Sequence, residues 1–362
     1  MIEYNNIMKD NDKKNIEELI KKVVDNPNDS TNYLELAKIY FGQNKFDLAE
    51  NVYKSLLSIE PENYLALTNL GTISYLKFDY ISAVNYYSRA INLGVEKLSL
   101  YFNLGNAFAE LKEFKQAISN YIKALNIDKY YAPVYSAIGL LYQDQGNYDE
   151  AILYYEKALK IEKNNPENYI NLALVLMKTG RNGTAAELFE DASKLVPDNS
   201  YYLLYCANAY SADKNYIKAN NFFENVISRE SGNYQAYICY GISLYDQGQT
   251  DKSIEMYNAA ISISPKEVSA YLLLGNLYCS EDKFEEAIAL YKKVIELQPT
   301  NSNAYTLLGN TYVMLKDLRS AIVSYKQAVD IDVDNDEIKL VYIEIIQEFI
   351  KQRNSGENDN AA

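Results

Sequence analysis

The chain of 362 residues contains no histidine. That removes the usual general base of serine and cysteine hydrolases and the commonest metal ligand. Cysteine is almost as scarce. Cys206, Cys239 and Cys279 are odd in number and share no C-x-x-C spacing, so they read as reduced, small apolar residues rather than a disulfide framework or zinc ligands. Basic charge is short as well: 35 lysines and arginines stand against 49 aspartates and glutamates, for a net charge of −14 and a pI near 4.7. Such a chain repels phosphate backbones and anionic bilayers and favours a neutral or basic protein partner. No apolar run approaches the ~18 residues of a membrane helix, and the opening stretch MIEYNNIMKDNDKKN lacks the apolar core of a signal peptide. The expectation is a cytoplasmic protein with a protein or peptide partner, no nucleic acid, no membrane, no metal and no cofactor.

What the chain does have is a period. Counting 34 residues at a time from Ser30 gives nine units ending at Asn335, with no insertion or deletion between them. Numbering positions within each unit from one, position 20 reads Ala49, Ala83, Ala117, Ala151, Ala185, Ala219, Ser253, Ala287 and Ala321. Position 8 is also small throughout: Ala37, Gly71, Gly105, Gly139, Ala173, Ala207, Gly241, Gly275 and Gly309. Position 24 is aromatic in every unit, as tyrosine or, at Phe189 and Phe223, phenylalanine. Two small columns twelve apart imply two helices that cross closely, with a ring filling the space beside the crossing.

Within a unit the apolar residues recur at helical spacing. In the eighth, Tyr271, Leu274 and Tyr278 mark one helix and Ile288, Tyr291 and Val294 a second, separated by CSEDKF. Pro61, Pro197, Pro265 and Pro299 share position 32, where proline ends the second helix. Each unit is therefore expected to be a helical hairpin.

These columns resemble the tetratricopeptide repeat, whose pattern is W-x2-L-G-x2-Y, then A-x3-F, then P. The resemblance covers nearly the whole chain. It departs at position 4, where Tyr33, Tyr101, Tyr135, Tyr169, Tyr237, Tyr271 and Tyr305 stand in place of tryptophan and Leu67 and Leu203 lack a ring. Many of the 36 tyrosines are thereby assigned to packing columns. The resemblance implies an all-α fold, a right-handed α-solenoid of stacked hairpins with a concave groove.

The boundaries expected on this basis are a flexible stretch over 1–12, a half repeat over 13–29, the nine units over 30–335, a capping helix over 336–352 and a disordered tail over 353–362. In the first cap Ile16, Leu19, Ile20, Val23 and Val24 form one apolar face ahead of Pro27. In the second, Glu344, Glu348 and Lys351 share a narrow side and leave a wide apolar face. Either Ile343, Ile346 and Ile350 pack on the ninth unit, or they form a surface for self-association.

The resemblance also implies that the first helix of each hairpin lines the groove, chiefly with positions 2, 5, 6, 9, 12 and 13. Asparagine is enriched there: Asn69, Asn103 and Asn171 at position 6, and Asn106, Asn208, Asn276 and Asn310 at position 9. An amide offers both a donor and an acceptor, so such a column can pair with peptide backbone whatever its side chains. This is similar to the asparagine ladder in the repeat arm of O-linked N-acetylglucosamine transferases, although here position 6 is broken by Glu35, Ala137, Tyr205, Cys239, Leu273 and Leu307. Ile170, Leu174, Leu204, Ile238, Ile242 and Leu272 suggest an apolar strip along the middle of the groove, or packing within the array.

Positions 2 and 6 carry no basic residue, which argues against the carboxylate clamp that other members use on chaperone tails. Asp330, Asp332, Asp334 and Asp336 alternate like a calcium loop, but Asn335 stands where glycine is required and Val341 where glutamate should be. The leading expectation is a non-enzymatic scaffold or adaptor that holds a segment of a partner protein. The alternatives are a targeting subunit of an enzyme encoded elsewhere, such as a glycosyltransferase, and a structural protein that assembles through its ends.

Overall fold

The computed structural model describes residues 15–358. Every regular element among them is an α-helix. Helix α1 covers 15–25, hairpins follow from α2 (Ser30–Gly42) and α3 (Phe46–Ile59) through α18 (Ser302–Met314) and α19 (Leu318–Ile331), and α20 (Asp336–Asn358) comes last. The fold is an all-α array of tandem helical hairpins. The chain divides into two compact units, Met1–Thr179 and Gly180–Ala362.

Local chemistry explains where the helices start. The residue before a hairpin's first helix is Asp29, Asn63, Asn165, Asn199, Asn233 or Asn301 in six of the units, and each side chain accepts a hydrogen bond from an N–H of the first turn. These caps satisfy donors that the helix itself leaves unpaired. They also account for part of the chain's asparagine.

Between the two helices of each hairpin, position 15 adopts a left-handed backbone, with φ between 57° and 77° from Asn44 to Lys316. Three units place glycine there, at Gly146, Gly180 and Gly248, which suits a conformation that costs other residues energy. Phe78 is the outlier, a bulky ring at φ 61° that is 78% exposed. Phe78→Gly should therefore raise stability by about 1 kcal/mol, seen as a higher urea midpoint at unchanged slope. A fall would show that the ring holds the turn.

The hairpin core rests on the contact between positions 8 and 24. A Cβ built on Gly105 would lie 2.5 Å from Cε1 of Tyr121, and one on Gly275 would lie 2.6 Å from the same atom of Tyr291. Where the ring is Phe189 or Phe223, position 8 is Ala173 or Ala207. Ala37 with Tyr53 departs from this pairing. The alanines of position 20 are wholly buried, and Ser253, which replaces one of them, donates to the carbonyl of Gly241 at 2.7 Å. Tyrosine at position 4 has its own use: Tyr33, Tyr135 and Tyr271 donate to the carbonyls of Pro27, Lys129 and Pro265 at 3.0–3.2 Å. Each phenol thus ties its helix to the preceding loop.

The C-terminal helix differs from expectation in two respects. It continues through 353–358, where a tail was expected. The residues that pack on the ninth hairpin are Ile338, Val341, Tyr342 and Ile345, whereas of the three expected there Ile346 is half-buried and Ile343 and Ile350 are 49% and 51% exposed. Their spacing explains this, since 338, 341, 342 and 345 share one helical side. The expected flexible stretch over 1–12 lies outside the described residues.

Among the described residues no helix is long and apolar enough to cross a membrane, and no group of three His, Cys, Asp or Glu could hold a metal ion.

Candidate functional site

The asparagines of position 9 are partly structural. Tyr121 donates its hydroxyl to Oδ1 of Asn106 at 2.7 Å, Tyr291 does the same to Asn276 at 2.7 Å, and Tyr325 to Asn310 at 2.5 Å. In the second hairpin Thr72 Oγ1 lies 3.1 Å from the hydroxyl of Tyr87. In these four hairpins the polar group at position 9 of the first helix meets the phenol at position 24 of the second. Burial pushes the phenols of Tyr121, Tyr291 and Tyr325 above their ordinary range, and the thiol of Cys279 adds to this at Tyr291. A phenol held neutral is a donor, and in each of these pairs it donates to the amide Oδ1.

Asn208 follows a different rule, because its hairpin carries Phe223 at position 24 and so has no hydroxyl there. Half-buried, it hydrogen-bonds the thiol of Cys239, whose titration is raised by burial and lowered by Gln235 and Asn208. At position 6, Asn69 donates to Leu65 O of its own helix at 2.9 Å, Asn103 hydrogen-bonds the phenol of Tyr87, and Asn171 is half-buried.

The apolar strip divides. Leu204 and Ile238 are buried at 8% and 5% exposure, and Leu272 packs on the clusters around Tyr271 and Tyr291. Ile170 and Leu174, in the compact unit Met1–Thr179, are half-buried, and Ile242, in the compact unit Gly180–Ala362, is 41% exposed. Position 5 turns toward its own second helix, as the 5.8 Å ring contact of Phe102 with Tyr121 shows. Half of the strip, Leu204, Ile238 and Leu272, therefore belongs to packing within the array.

Helices α16 (Ser269–Ser280) and α18 bring two predicted residues together. Asn276 and Asn310, both exposed, line a recess of about 280 Å³ with Cys279, Asp282, Phe284, Tyr291, Leu307, Thr311 and Met314. Sγ of Cys279 lies 3.3 Å from Oγ1 of Thr311 and 3.6 Å from the hydroxyl of Tyr291. Met314 is 67% exposed at the rim. Sequence reasoning missed Cys279, Leu307 and Met314. They occupy groove columns 12, 6 and 13, whereas the asparagines and apolar residues that stood out lie in columns 5, 6 and 9. The recess sets two amides beside Phe284, Leu307 and Met314, with the carboxylate of Asp282 among them, which suits a segment that offers a backbone carbonyl beside an apolar side chain.

A second feature escaped notice. Leu76, Phe78 and Ile81 are 45%, 78% and 73% exposed, at positions 13, 15 and 18 of the second hairpin. Lys77 beside them bridges Asp47 and Glu50, each at 2.6 Å.

Models of the tetratricopeptide repeat match residues 30–63, 96–164, 142–209 and 302–335, and a TPR repeat model matches 241–280 and 275–316. No curated protein matches the chain. Among solved structures, yeast Tom70 is 19% identical over 96% of this chain and 87% of its own, with a TM-score of 0.50. The C-terminal part of a TPR repeat-containing protein from Cytophaga hutchinsonii is 18% identical over 76% of this chain and 99% of its own, at 0.52. These two are alike in fold. With the columns, the hairpins and the matched models in agreement, the chain belongs to the tetratricopeptide repeat family.

Proposed function

We propose that this chain is a non-enzymatic adaptor that holds an extended segment of a partner protein on the first-helix face, with the recess at Asn276 and Asn310 as an anchoring point. Family membership supports a protein-interaction scaffold in general. The observation that carries the finer reading is the pair of amides whose Oδ1 atoms are held by Tyr291 and Tyr325, so that two Nδ2 donors stand fixed beside Leu307 and Met314. Donors fixed before the ligand arrives lose little freedom on binding. A net charge of −14 favours a neutral or basic segment over nucleic acid. Three free cysteines, one of them buried, suit the reducing cytoplasm.

Peptides selected by display against the full chain provide the test, with affinity read by fluorescence anisotropy. Met314→Glu changes only an exposed rim, so its fold should persist while affinity falls at least about tenfold, or ~1.4 kcal/mol. Unchanged affinity for every selected peptide would move the site elsewhere.

A further inference from the structure

Among the nine units only the second and third carry a net positive charge. Lys77, Arg89 and Lys97 stand against Asp79 and Glu96 in one, and Lys112, Lys115, Lys123 and Lys129 against Glu110, Glu113 and Asp128 in the other. The difference lies in their second helices, α5 (Tyr80–Asn92) and α7 (Phe114–Ile127). These hold Arg89, Lys115 and Lys123 and no carboxylate, whereas the second helix of every other hairpin holds at least one. Between α5 and α7 lies a slot of about 550 Å³, with Ser88 on one wall, Lys115, Ser119 and Lys123 on the other, and Leu104 and Phe108 contributed by the helix between.

Among the described residues neither lysine of the slot forms an ion pair. Lys123 Nζ lies 5.6 Å from the centre of the Tyr101 ring, and no acidic residue stands within four positions of it in the sequence. Lys115 has Glu113 two residues before it, a carboxylate that accepts from Nε2 of Gln116 at 2.8 Å. Of the other carboxylates in the two units, Asp79 caps α5, Glu110 accepts from Tyr75, and Glu96 and Asp128 follow the C-terminal ends of α5 and α7. The next second helices on either side are acidic again: α3 carries Asp47 and Glu50, both paired with Lys77, and α9 (Tyr148–Ile161) carries Asp149, Glu150 and Glu156. The positive field is therefore confined to the slot, which suits a short acidic stretch and not a long polyanion such as nucleic acid. Spacing narrows the ligand further. Lys115 and Lys123 are eight residues apart on α7, about 12 Å along its axis. An extended segment advances about 13 Å in four residues, and its residues i, i+2 and i+4 share one side. Carboxylates at i and i+4 then reach the two ammonium groups while an apolar side chain at i+2 meets half-buried Phe108.

We propose that the slot between α5 and α7 binds an extended acidic segment of a partner protein, with acidic residues at i and i+4 and an apolar residue at i+2. The slot lies on second helices, so the inference goes beyond the first-helix groove and does not rest on it. A display library of that pattern is panned on the full chain, and the selected peptides are titrated by fluorescence anisotropy. Lys115→Glu combined with Lys123→Glu should weaken them at least about tenfold. Ser119→Trp, which fills the slot without changing charge, should do the same. All three side chains are exposed, so the fold should persist. The same charge reversal at Lys129 and Lys163, outside the slot and also exposed, should leave affinity within about twofold. Failure of the library to enrich would overturn the inference. So would peptides indifferent to the Lys115 and Lys123 reversal or to Ser119→Trp, peptides weakened as much by reversal at Lys129 and Lys163, or tighter binding of single-stranded DNA by the same lysines.

Discussion

Replacing Tyr121 by alanine is expected to cost about 3 to 5 kcal/mol, the range seen when a large core ring is deleted. Tyr121 is 2% exposed. Its ring lies on Gly105 in α6 (Leu98–Glu110), it contacts Phe102, and its hydroxyl is anchored on Asn106. Gly105 has no side chain to close the space, and the helices are already held at a close crossing by Ala117, which is wholly buried, so the cavity should remain. Tyr121→Phe keeps the ring and removes one hydrogen bond, for a loss of about 1 kcal/mol. Gly105→Ala acts in the opposite sense: overpacking of roughly 1 to 3 kcal/mol, offset by up to about 1 kcal/mol of helix propensity.

The double variant Gly105→Ala with Tyr121→Phe recreates the natural pair of Ala173 with Phe189. Freed from its anchor on Asn106, the ring can shift away from the new methyl group. The two losses should therefore add to more than the double variant shows. Urea unfolding of the four proteins measures this, and strict additivity would mean that the anchor and the glycine act independently.

Much of the fold was legible because its constraints are local and repeated. Small residues at positions 8 and 20 and rings at position 24 are steric requirements of one crossing, and nine copies expose them without an alignment. The groove was less legible, because a column tells where a side chain starts and not what it meets. Asn106, Asn276 and Asn310 stood out as an excess of amides, but fifteen residues on, a phenol claims one atom of each. Leu204 and Ile238 looked like groove anchors and are core, because position 5 turns toward the second helix. Phe78 escaped because a left-handed turn shared by glycine, lysine and asparagine has no single residue type to mark it. In α20 the spacing of apolar residues was visible, but which of its sides faces α19 depends on packing, and it is Ile338 and Ile345 that face inward.

The second large effect is expected on binding. In Asn276→Asp with Asn310→Asp, each carboxylate keeps an oxygen for the hydroxyl of Tyr291 or Tyr325, so the core contact survives. What disappears is the Nδ2 donor, replaced by an oxygen that repels a ligand carbonyl. Each net hydrogen bond contributes about 0.5 to 1.5 kcal/mol, so losing two should weaken a bound segment roughly fivefold to more than a hundredfold. Both residues are exposed, and the circular dichroism and thermal midpoint should stay near those of the parent.

The most direct measurement is the affinity of one display-selected peptide for the parent and for this double variant, with folding confirmed on the same samples. A folded variant that binds at least about fivefold more weakly is the predicted result. A folded variant that binds as tightly as the parent would contradict the account, because the tyrosine-held amides would then be packing alone.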